Sequence, residues 1–184
     1  MTDAVEIVKL GAPEPEADVT EGESFDSDRR ITPTKVYGPL YEEFRFTIDV
    51  AADIETTRLP RYFAAMPDGK ALGNGLEAAW AGERVWCNPP YSKISKWISK
   101  AWRECAGCPV IVMLVPAWTD RAWWAALVEP YRERILETQP GVGVRFSTRF
   151  PPGRTRFGYP GNAEGKGVGS PKYVGSALLI WERL

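Results

Sequence analysis

Residues 85–97, VWCNPPYSKISKW, place a short apolar run directly before two consecutive prolines and a basic segment. The run 85–87 predicts a buried strand, and proline cannot continue it because proline lacks a backbone N–H. Two consecutive prolines are also disfavoured inside a helix, and the residue before a proline prefers extended backbone, so we expect the strand to end at Asn88 in a tight, extended turn. We therefore expect residues 88–91 to form a rigid turn at the carboxyl end of a strand.

The side chains of this turn suit one kind of ligand. Asn88 offers an amide oxygen, Pro89 a backbone carbonyl oxygen and Tyr91 a flat ring. Two acceptors beside a stacking surface fit a planar group with an exocyclic amine, such as adenine, and stacking of a base contributes about 1–3 kcal/mol. Accepting the amine N–H groups would turn the nitrogen lone pair towards an electrophile. The alternative is a purely structural turn, which two prolines after a buried strand disfavour.

Composition bounds the class of protein. The 184 residues are 44% hydrophobic and include eight tryptophans, which predicts one folded domain with a substantial core. No apolar run approaches the roughly 18 residues of a membrane-spanning helix, so we expect a soluble, cytoplasmic protein that does not contact membranes. The chain has no histidine, which excludes a histidine triad or a histidine general base.

The cysteines do not predict a metal site. A structural zinc ion usually takes four Cys or His ligands, and the chain offers three cysteines and no histidine. Cys105-x-x-Cys108 has the spacing of a redox pair. Its position between a predicted helix and an apolar strand favours a structural role instead, and we predict no bound metal.

Charge divides the chain in two. Residues 1–30 hold nine acidic and three basic residues without a regular hydrophobic pattern, which predicts an acidic disordered tail. Residues 31–184 hold 15 acidic and 20 basic residues and form the predicted domain. The small positive excess of that domain suits an anionic partner, but it is also ordinary for a soluble protein.

Hydrophobic periodicity after residue 31 predicts an α/β fold. The predicted helices cover residues 34–44, 92–105 and 121–131. The predicted strands are RFTIDVA, ending at Asp49, ERVWC, ending at Asn88, the continuously apolar PVIVMLVPA and the final GSALLIWERL. A continuously apolar strand is typical of a parallel sheet that is buried on both faces. Ligands of open α/β sheets lie at the carboxyl ends of strands, where this prediction places both Asp49 and Asn88.

Asn88-Pro89-Pro90-Tyr91 resembles the [D/N/S]-P-P-[Y/F/W] catalytic motif of S-adenosylmethionine-dependent amino-methyltransferases. ITP, FTIDVAA, VWCNPPYSKISKWISKA, LVPAWTDRAWW, GRTRF and SALLIW follow the order seen in phage-type DNA N6-adenine methyltransferases of the Dam family, over residues 31–184. The resemblance implies a reduced Rossmann-like class I methyltransferase fold, α/β with a mostly parallel sheet flanked by helices. It also implies S-adenosylmethionine as cofactor, DNA as partner, and a phage- or prophage-encoded protein that acts in the bacterial cytoplasm.

The resemblance assigns roles to individual residues. Asn88, Pro89 and Pro90 would line the target amine, and Tyr91 would stack on a flipped adenine. The residues implied for the cofactor are Thr32, Pro33, Asp49, Ala51, Asn74 and Leu76. Structural alternatives stand beside three of these: Thr32 as a helix N-cap before proline, Asp49 as a strand-end cap, and Asn74 as a turn residue. Asn74 also departs from the family pattern, which has aspartate at that position.

Two regions carry basic residues that suit DNA. Lys93 and Lys96 follow the motif and recur with Lys100 and Arg103 at helical spacing. For Lys100 and Arg103 the alternative is a solvent-exposed helix face that does not contact DNA. Residues 145–173 combine basic and aromatic side chains, which suits phosphate contact and insertion beside a flipped base. The predicted DNA-binding residues are Lys93, Lys96, Arg121, Arg149, Arg154, Arg156, Lys166 and Lys172.

Three alternative functions stay open at this point. A primary amide is also planar with an NH2 group, so the same motif serves enzymes that methylate glutamine in proteins at N5. Some amino-methyltransferases modify cytosine at N4, more often with serine in place of Asn88. The third alternative is a catalytically dead relative that binds DNA without binding the cofactor.

Overall fold

The computed structural model describes residues 8–9, 28–65, 69–162 and 174–184. Its helices are α1 (Thr34–Phe44), α2 (Ile94–Glu104) and α3 (Ala122–Leu127). Its strands are β1 (Val8–Lys9), β2 (Ile48–Ala52), β3 (Tyr62–Ala64), β4 (Arg84–Cys87), β5 (Val110–Pro116), β6 (Arg134–Gln139), β7 (Val142–Arg149), β8 (Arg154–Thr155) and β9 (Val174–Arg183). Short 3-10 turns at Tyr91–Lys93 and Glu129–Tyr131 complete the described elements.

The strands form one mixed sheet in the order β1-β6-β7-β9-β5-β4-β2-β3, with β8 paired to β9 beside this path. Strands β2, β3, β4, β5 and β7 point one way, whereas β9 is antiparallel to both of its neighbours, β5 and β7. The predicted α/β fold with a mostly parallel sheet is confirmed. The carboxyl ends of β2, β4 and β5 consequently meet at one edge of the sheet.

Strand β5 is the centre of the core. All seven of its residues are buried, as the continuously apolar sequence predicts, and they pair with β4 on one side and β9 on the other. Ile111 is in register with Trp181, and Val112 is in register with Trp86. Because neighbouring residues of a strand point to opposite faces, Trp86 and Trp181 lie on opposite faces of the sheet.

Helices cover both faces. On the α1 face, Tyr37 packs edge-on against Trp86, with the ring centroids 5.3 Å apart. On the other face, Trp102 of α2 packs against Trp181 at 5.4 Å. The apolar side predicted for α2 is confirmed, because each of its members is buried: Ile94, Trp97, Ile98, Ala101 and Trp102.

The prediction for β2 was wrong at its end. The strand continues past Asp49 to Ala52, so Asp49 is its second residue and Asp53 is the carboxylate that follows the strand. Ala51 and Ala52 are weak strand formers, which hid the continuation. Both are buried, and Ala52 is in register with Ala64 of the short strand β3, so tertiary packing overrides the local preference.

The predicted loop 145–173 begins as a strand. Residues 145–149 belong to β7, which forms a hairpin with β6 through Pro140 and Gly141. Gly141 has a φ of 74°, a left-handed conformation that glycine adopts without steric cost. Arg145 is in register with Ile135 and Glu182, inside the sheet. Its expected place in a DNA-contacting loop is therefore wrong.

The predicted basic stripe on α2 is interrupted. Lys93, Lys96 and Arg103 are exposed, but Lys100 is buried and its Nζ lies 2.5 Å from Glu104 Oε1. The Lys100 ammonium also lies 5.6 Å from the centroid of the Trp80 ring. A buried charge needs such a partner, so Lys100 belongs to the core and not to a solvated or DNA-facing stripe.

The three cysteines are free and buried. Burial raises the pKa of Cys105 to about 11 and that of Cys108 to about 12, so both stay protonated at neutral pH. Cys108 Sγ donates to Trp80 O at 3.1 Å. These contacts support the structural reading of the Cys105-x-x-Cys108 pair, because a reactive cysteine needs an accessible thiolate.

Most of the predicted acidic tail, residues 1–30, lies outside the described residues. Val8–Lys9 pair in parallel with β6, and residues 28–30 lie against the edge of the sheet where β2 and β4 end. The tail and the boundary at residue 31 stay predictions. Within the described part of the chain, no helix is long and apolar enough to cross a membrane.

Candidate active site

The turn 88–91 lies where the sequence predicts it, directly after β4. At the same edge of the sheet, Asp53 follows β2 and Ala117 follows β5. Pro89, Pro90 and Tyr91 are buried, and the chain continues from Tyr91 through a 3-10 turn into α2. The two prolines therefore hold a fixed turn between a central strand and a helix.

The Asn88 amide is oriented by its surroundings. Its Nδ2 donates to the backbone carbonyl oxygen of Arg30 at 2.8 Å. An amide beside a carbonyl must present its NH2 group, so this contact fixes which way Oδ1 points. Asn88 Oδ1 is buried and has no hydrogen-bond partner among the residues that the structure describes. Burial of an unpaired acceptor costs free energy, which makes this oxygen a natural site for a ligand N–H.

The segment 28–31 reaches this site from the N-terminal side. Asp28 accepts from Ser92, with Oδ1 3.2 Å from the backbone N and Oδ2 2.5 Å from Oγ. Arg29 forms ion pairs with Asp53 at 2.9 Å and with Glu55 at 2.5 Å. Ile31 exchanges two backbone hydrogen bonds with Gly158, at 3.0 and 2.9 Å. The segment therefore joins β2, the 88–91 turn and the 154–162 region.

Tyr91 lies in a cluster of flat side chains. Its ring packs edge-to-face against Trp118 and against Phe157, with centroids 6.2 Å apart in each pair. The guanidinium carbon of Arg30 lies over the Tyr91 ring, 4.7 Å from its centroid, and 5.7 Å from the centroid of Phe157. Arg121 extends the cluster outward, at 5.5 Å from the Trp118 ring.

Thr32 does not cap a helix. Helix α1 begins at Thr34, Pro33 is its N-cap residue, and the helix has no side-chain cap. The alternative of Thr32 as the N-cap is therefore wrong. Thr32 is buried, its carbonyl oxygen accepts from the Arg58 guanidinium, and its Oγ1 has no hydrogen-bond partner within the described residues. Pro33 instead supplies a carbonyl oxygen to the first turn, for Val36 and Tyr37.

Asp49 and Thr32 both accept hydrogen bonds from Arg58, Asp49 from its backbone N and Thr32 from its guanidinium. The Arg58 backbone N donates to Asp49 Oδ2 and the Ala51 backbone N donates to Asp49 Oδ1, both at 3.3 Å. These contacts are long, and they do not offset the loss of water. Burial raises the pKa of Asp49 to about 7. Asp53 differs: burial opposes its ionisation, but hydrogen bonds from Arg29 and from the Glu55 backbone lower its pKa.

The raised pKa of Asp49 predicts a dependence of stability on pH. In the unfolded chain an aspartate ionises near pH 3.9. Between about pH 4 and pH 7 the folded state therefore keeps a proton that the unfolded state releases, so stability falls as pH rises through this window. Asp49→Asn should abolish this loss of stability. As pH rises from about 4 to 7, the free energy of unfolding of the variant should therefore increase relative to that of the native protein, by at most about 1.4 kcal/mol for each pH unit.

Denaturant unfolding at pH 4.5 and pH 8 measures this difference. Asp53→Asn is the matched control. Because the pKa of Asp53 is lowered in the folded state, its carboxylate stabilises the protein increasingly as pH rises, the opposite of Asp49. That variant should lose stability at pH 8 and approach the native protein as pH falls. Parallel pH profiles for Asp49→Asn and the native protein would show that Asp49 does not titrate in this window.

Asn74 and Leu76 lie on a loop that docks against β2. Asn74 Oδ1 accepts from the Leu76 backbone N at 3.0 Å, and its Nδ2 donates to Glu77 at 3.0 Å, so its amide already closes a turn. Gly75 between them is buried against Val50 and Trp97. Leu76 is partly buried against the core. The cofactor roles of Asn74 and Leu76 stay predictions.

The predicted DNA-binding residues separate into groups. Arg121 and Arg154 are exposed, and Arg156 is partly buried next to Phe157 at the site. Arg149 instead pairs with Glu43 of α1 at 2.8 Å. Lys93, at the end of the 3-10 turn, and Lys96, in the first turn of α2, are exposed. Lys166 and Lys172 lie outside the described residues.

Sequence reasoning missed the contribution of the segment before Thr32. Asp28, Arg29 and Arg30 stand at the end of an acidic stretch, and no periodicity marks them as part of a fold. One usable signal was position, because they directly precede the Thr32-Pro33 pair. Asp53 had a clearer signal, since it stands four residues after Asp49 at the end of an apolar run.

Among the described residues, no group of three or more His, Cys, Asp or Glu side chains is placed to hold a metal ion. The site instead combines oriented acceptors, buried polar groups and flat side chains at the carboxyl edge of a mostly parallel sheet. This fold and edge are those of a Rossmann-like methyltransferase.

The chain belongs to the DNA N-6-adenine-methyltransferase (Dam) family, whose sequence model matches residues 20–184. The resemblance to the Dam family seen in the sequence is thereby confirmed, and the matched range includes the segment 28–31. In a comparison with curated proteins, none matches the chain.

Proposed function

We propose that the protein transfers a methyl group from S-adenosylmethionine to the N6 amine of an adenine that has been flipped out of DNA. The observation that carries the proposal is the Asn88 amide, whose NH2 group is held by Arg30 O while its buried Oδ1 has no partner among the described residues. An exocyclic amine is the complementary donor. Tyr91 is the last residue of the 88–91 turn, and its ring would supply the stacking surface.

The reaction depends on how the amine is held. Asn88 Oδ1 would accept one N–H of the adenine amine, and the carbonyl oxygen of Pro89 would accept the other. Both contacts favour a nitrogen whose lone pair points out of the ring plane, and the rigid turn holds them without reorganisation during the reaction. A nucleophile prepared in this way needs no histidine base, in agreement with the composition.

The chain has groups that fit the cofactor. Thr32 Oγ1 is buried without a partner in the described part of the structure. Arg58 donates both to the Asp49 carboxylate, from its backbone N, and to the Thr32 carbonyl oxygen, from its guanidinium. A hydroxyl and a buried carboxylate suit the polar methionine end of S-adenosylmethionine. When bound, this cofactor would supply the electrophilic methyl group, its sulfur would keep the electron pair of the broken S–C bond, and the methylated amine would release one proton to solvent. Thr32, Pro33, Asp49 and Ala51 would hold it, with Asn74 and Leu76 on the adjacent loop.

The DNA would approach over the basic and aromatic rim. Arg121 lies over Trp118, and Trp118 in turn contacts Tyr91. Arg154 and Arg156 precede Phe157, whose ring packs against Tyr91. Arginines suit phosphate oxygens, and aromatic side chains can fill the space that a flipped base leaves. We also propose that the protein acts on DNA in the cytoplasm of a bacterial host.

Mass spectrometry of nucleosides tests the proposal. Unmethylated DNA is incubated with the protein and S-adenosylmethionine and then digested, and N6-methyladenine is the expected product. Detection of N4-methylcytosine would support methylation of an exocyclic amine at this site but would identify cytosine as the target base. A protein that binds S-adenosylmethionine but leaves DNA unmodified would contradict the proposed substrate. Loss of cofactor binding as well would identify a catalytically dead relative.

Removal of rim charges should weaken DNA binding in a salt-dependent way. Each phosphate contact contributes about 0.9 to the slope of log K against log salt concentration. The double variant Arg121→Ala/Arg154→Ala should therefore lower the slope by about 2 if both side chains contact phosphates. Fluorescence anisotropy with a labelled duplex between 50 and 200 mM salt, the range over which such contacts are lost, measures it.

The matched control removes the same charge elsewhere. Arg145 and Arg183 are exposed near the opposite edge of the sheet, where β5 begins. The double variant Arg145→Ala/Arg183→Ala should keep the native slope. Equal losses in the two double variants would mean that binding depends on net charge and not on the rim around Tyr91.

A further inference from the structure

The side chain of Arg30 covers the surface on which the target base would stack. Its guanidinium carbon lies 4.7 Å from the centroid of the Tyr91 ring. The other flat neighbours of Tyr91, Trp118 and Phe157, stand at steep angles to it, with interplanar angles of 71° and 85°. A base that stacks on the covered face of Tyr91 must therefore meet the guanidinium of Arg30.

We propose that Arg30 and Tyr91 are the two walls of a slot for the flipped adenine, with the guanidinium plane on one side of the base and the tyrosine ring on the other. The inference rests on the proposed function and adds a substrate-binding residue to it. Proteins that take up unstacked bases use both aromatic rings and arginine guanidinium planes as stacking surfaces. Arginine also adds a cation–π contribution to such a stack.

The backbone around Arg30 is held by contacts of the residues on both sides of it. Asp28 is held by Ser92, Arg29 by Asp53 and Glu55, and Ile31 by Gly158. The Arg30 carbonyl itself holds Asn88 Nδ2 at 2.8 Å. The residue that orients the amine acceptor is thus the same residue whose side chain faces Tyr91. Base entry requires movement of the Arg30 side chain and leaves its carbonyl in place.

The spacing makes the required movement small. A base stacked between two planes needs about 3.4 Å on each side, the rise of one base step, or about 7 Å between the walls. The present separation is 4.7 Å from guanidinium carbon to ring centroid. The long side chain of arginine can provide the remaining distance by rotation about its side-chain torsions. The contact between Arg30 and Tyr91 in the free protein would then be replaced by two contacts of the base, one with each of these side chains.

Substitutions at Arg30 separate the flat surface from the charge. Arg30→Ala removes both, Arg30→Lys keeps the charge without the plane, and Arg30→Trp keeps a plane without the charge. Arg30→Tyr offers a smaller plane if tryptophan perturbs the fold. Arg183→Ala is the control for loss of one exposed arginine at the opposite edge of the sheet. The readouts are kcat and KM for unmethylated DNA, the Kd for S-adenosylmethionine and the melting temperature.

The slot predicts a specific pattern. Arg30→Ala should lower kcat/KM for DNA by about tenfold or more, consistent with the loss of one stacked base contact. Arg30→Lys should resemble Arg30→Ala, and Arg30→Trp or Arg30→Tyr should recover most of the loss. The Kd for S-adenosylmethionine should stay within about twofold of the native value, because Arg30 faces Tyr91 and not the Thr32 and Asp49 groups.

Other patterns overturn the slot. Native or higher activity in Arg30→Ala would mean that Arg30 merely covers Tyr91 in the free protein. Rescue by lysine and not by an aromatic residue would indicate a phosphate contact. A parallel loss of cofactor affinity and melting temperature would indicate a structural role. If the native protein forms no methyladenine while it binds S-adenosylmethionine, the proposed function falls, and the slot falls with it.

Discussion

Replacement of Asn88 by alanine is expected to lower the rate of methyl transfer to DNA by about 10²–10³-fold, the usual effect of removing one preorganised hydrogen-bonding group from a reacting centre. The variant loses the oxygen that would accept an N–H of the target amine. It also loses the 2.8 Å contact to Arg30 O, which should cost about 1 kcal/mol of stability. Single-turnover kinetics with unmethylated DNA measure the rate, and calorimetry measures the affinity for S-adenosylmethionine, which should not change.

Asn88→Asp is the matched control for this substitution. It keeps the acceptor oxygens, and aspartate is an accepted residue in the motif that Asn88-Pro89-Pro90-Tyr91 resembles. It loses the NH2 donor that Arg30 O holds, so partial activity is expected, well above that of the alanine variant. Near-native turnover of Asn88→Ala would show that the amide oxygen does not prepare the amine.

Alanine at Gly75 is expected to destabilise the protein by about 3 kcal/mol or more, the upper range for overpacking of a well-packed site. A Cβ atom there would overlap the backbone carbonyl oxygen of Val50 and would lie 2.8 Å from Trp97 Cη2. Val50 belongs to the buried strand β2, and Trp97 is fully buried, so neither can move cheaply. The loop that carries Asn74 and Leu76 would have to leave the sheet.

The melting temperature should fall by about 10 °C, and cofactor affinity should fall with it. Gly69→Ala is the control in the same connection between β3 and β4, because a Cβ atom at Gly69 meets no atom of the described residues within 4 Å. That variant should stay within about 0.5 kcal/mol of the native protein. A native melting temperature for Gly75→Ala would mean that the loop is not held against β2.

Long periodic or continuously apolar segments were predictable, and the reasons are physical. The apolar residues of α2 recur with the helical period, and the continuously apolar run of β5 has the length and the β-branched content of a buried strand. The turn at residues 88–91 was predictable because two prolines remove backbone donors and fix the chain direction. The part of the site that depends on this turn therefore followed from the sequence.

Elements that depend on partners far along the chain were not predictable in the same way. Strand β2 extends through Ala51 and Ala52 because β3 lies beside it, and alanine itself gives no strand signal. Lys100 has the spacing of an exposed stripe but pairs with Glu104 and is buried. The β6–β7 hairpin did have a local signal in the sequence, because Pro140-Gly141 stands between two segments that contain apolar residues. The prediction of a loop from residue 145 did not use this signal.

The segment 28–31 is the largest omission. Its role arises from contacts with Ser92, Asp53, Asn88 and Gly158, which are distant in sequence. Composition assigned residues 1–30 to a tail, and charge alone could not reveal that their last members complete the site. Short polar segments of this kind obtain their structure from the surface that receives them.

The distribution of tryptophans gives the protein a built-in optical probe. Seven of the eight indoles are buried, and Trp118 is the one that is partly exposed. Trp118 also contacts Tyr91, at 6.2 Å between ring centroids. A soluble collisional quencher in the solvent thus reaches chiefly this indole, and its emission reports on the space beside Tyr91. Arrival of a base at the site can be followed in the native protein without attaching a dye.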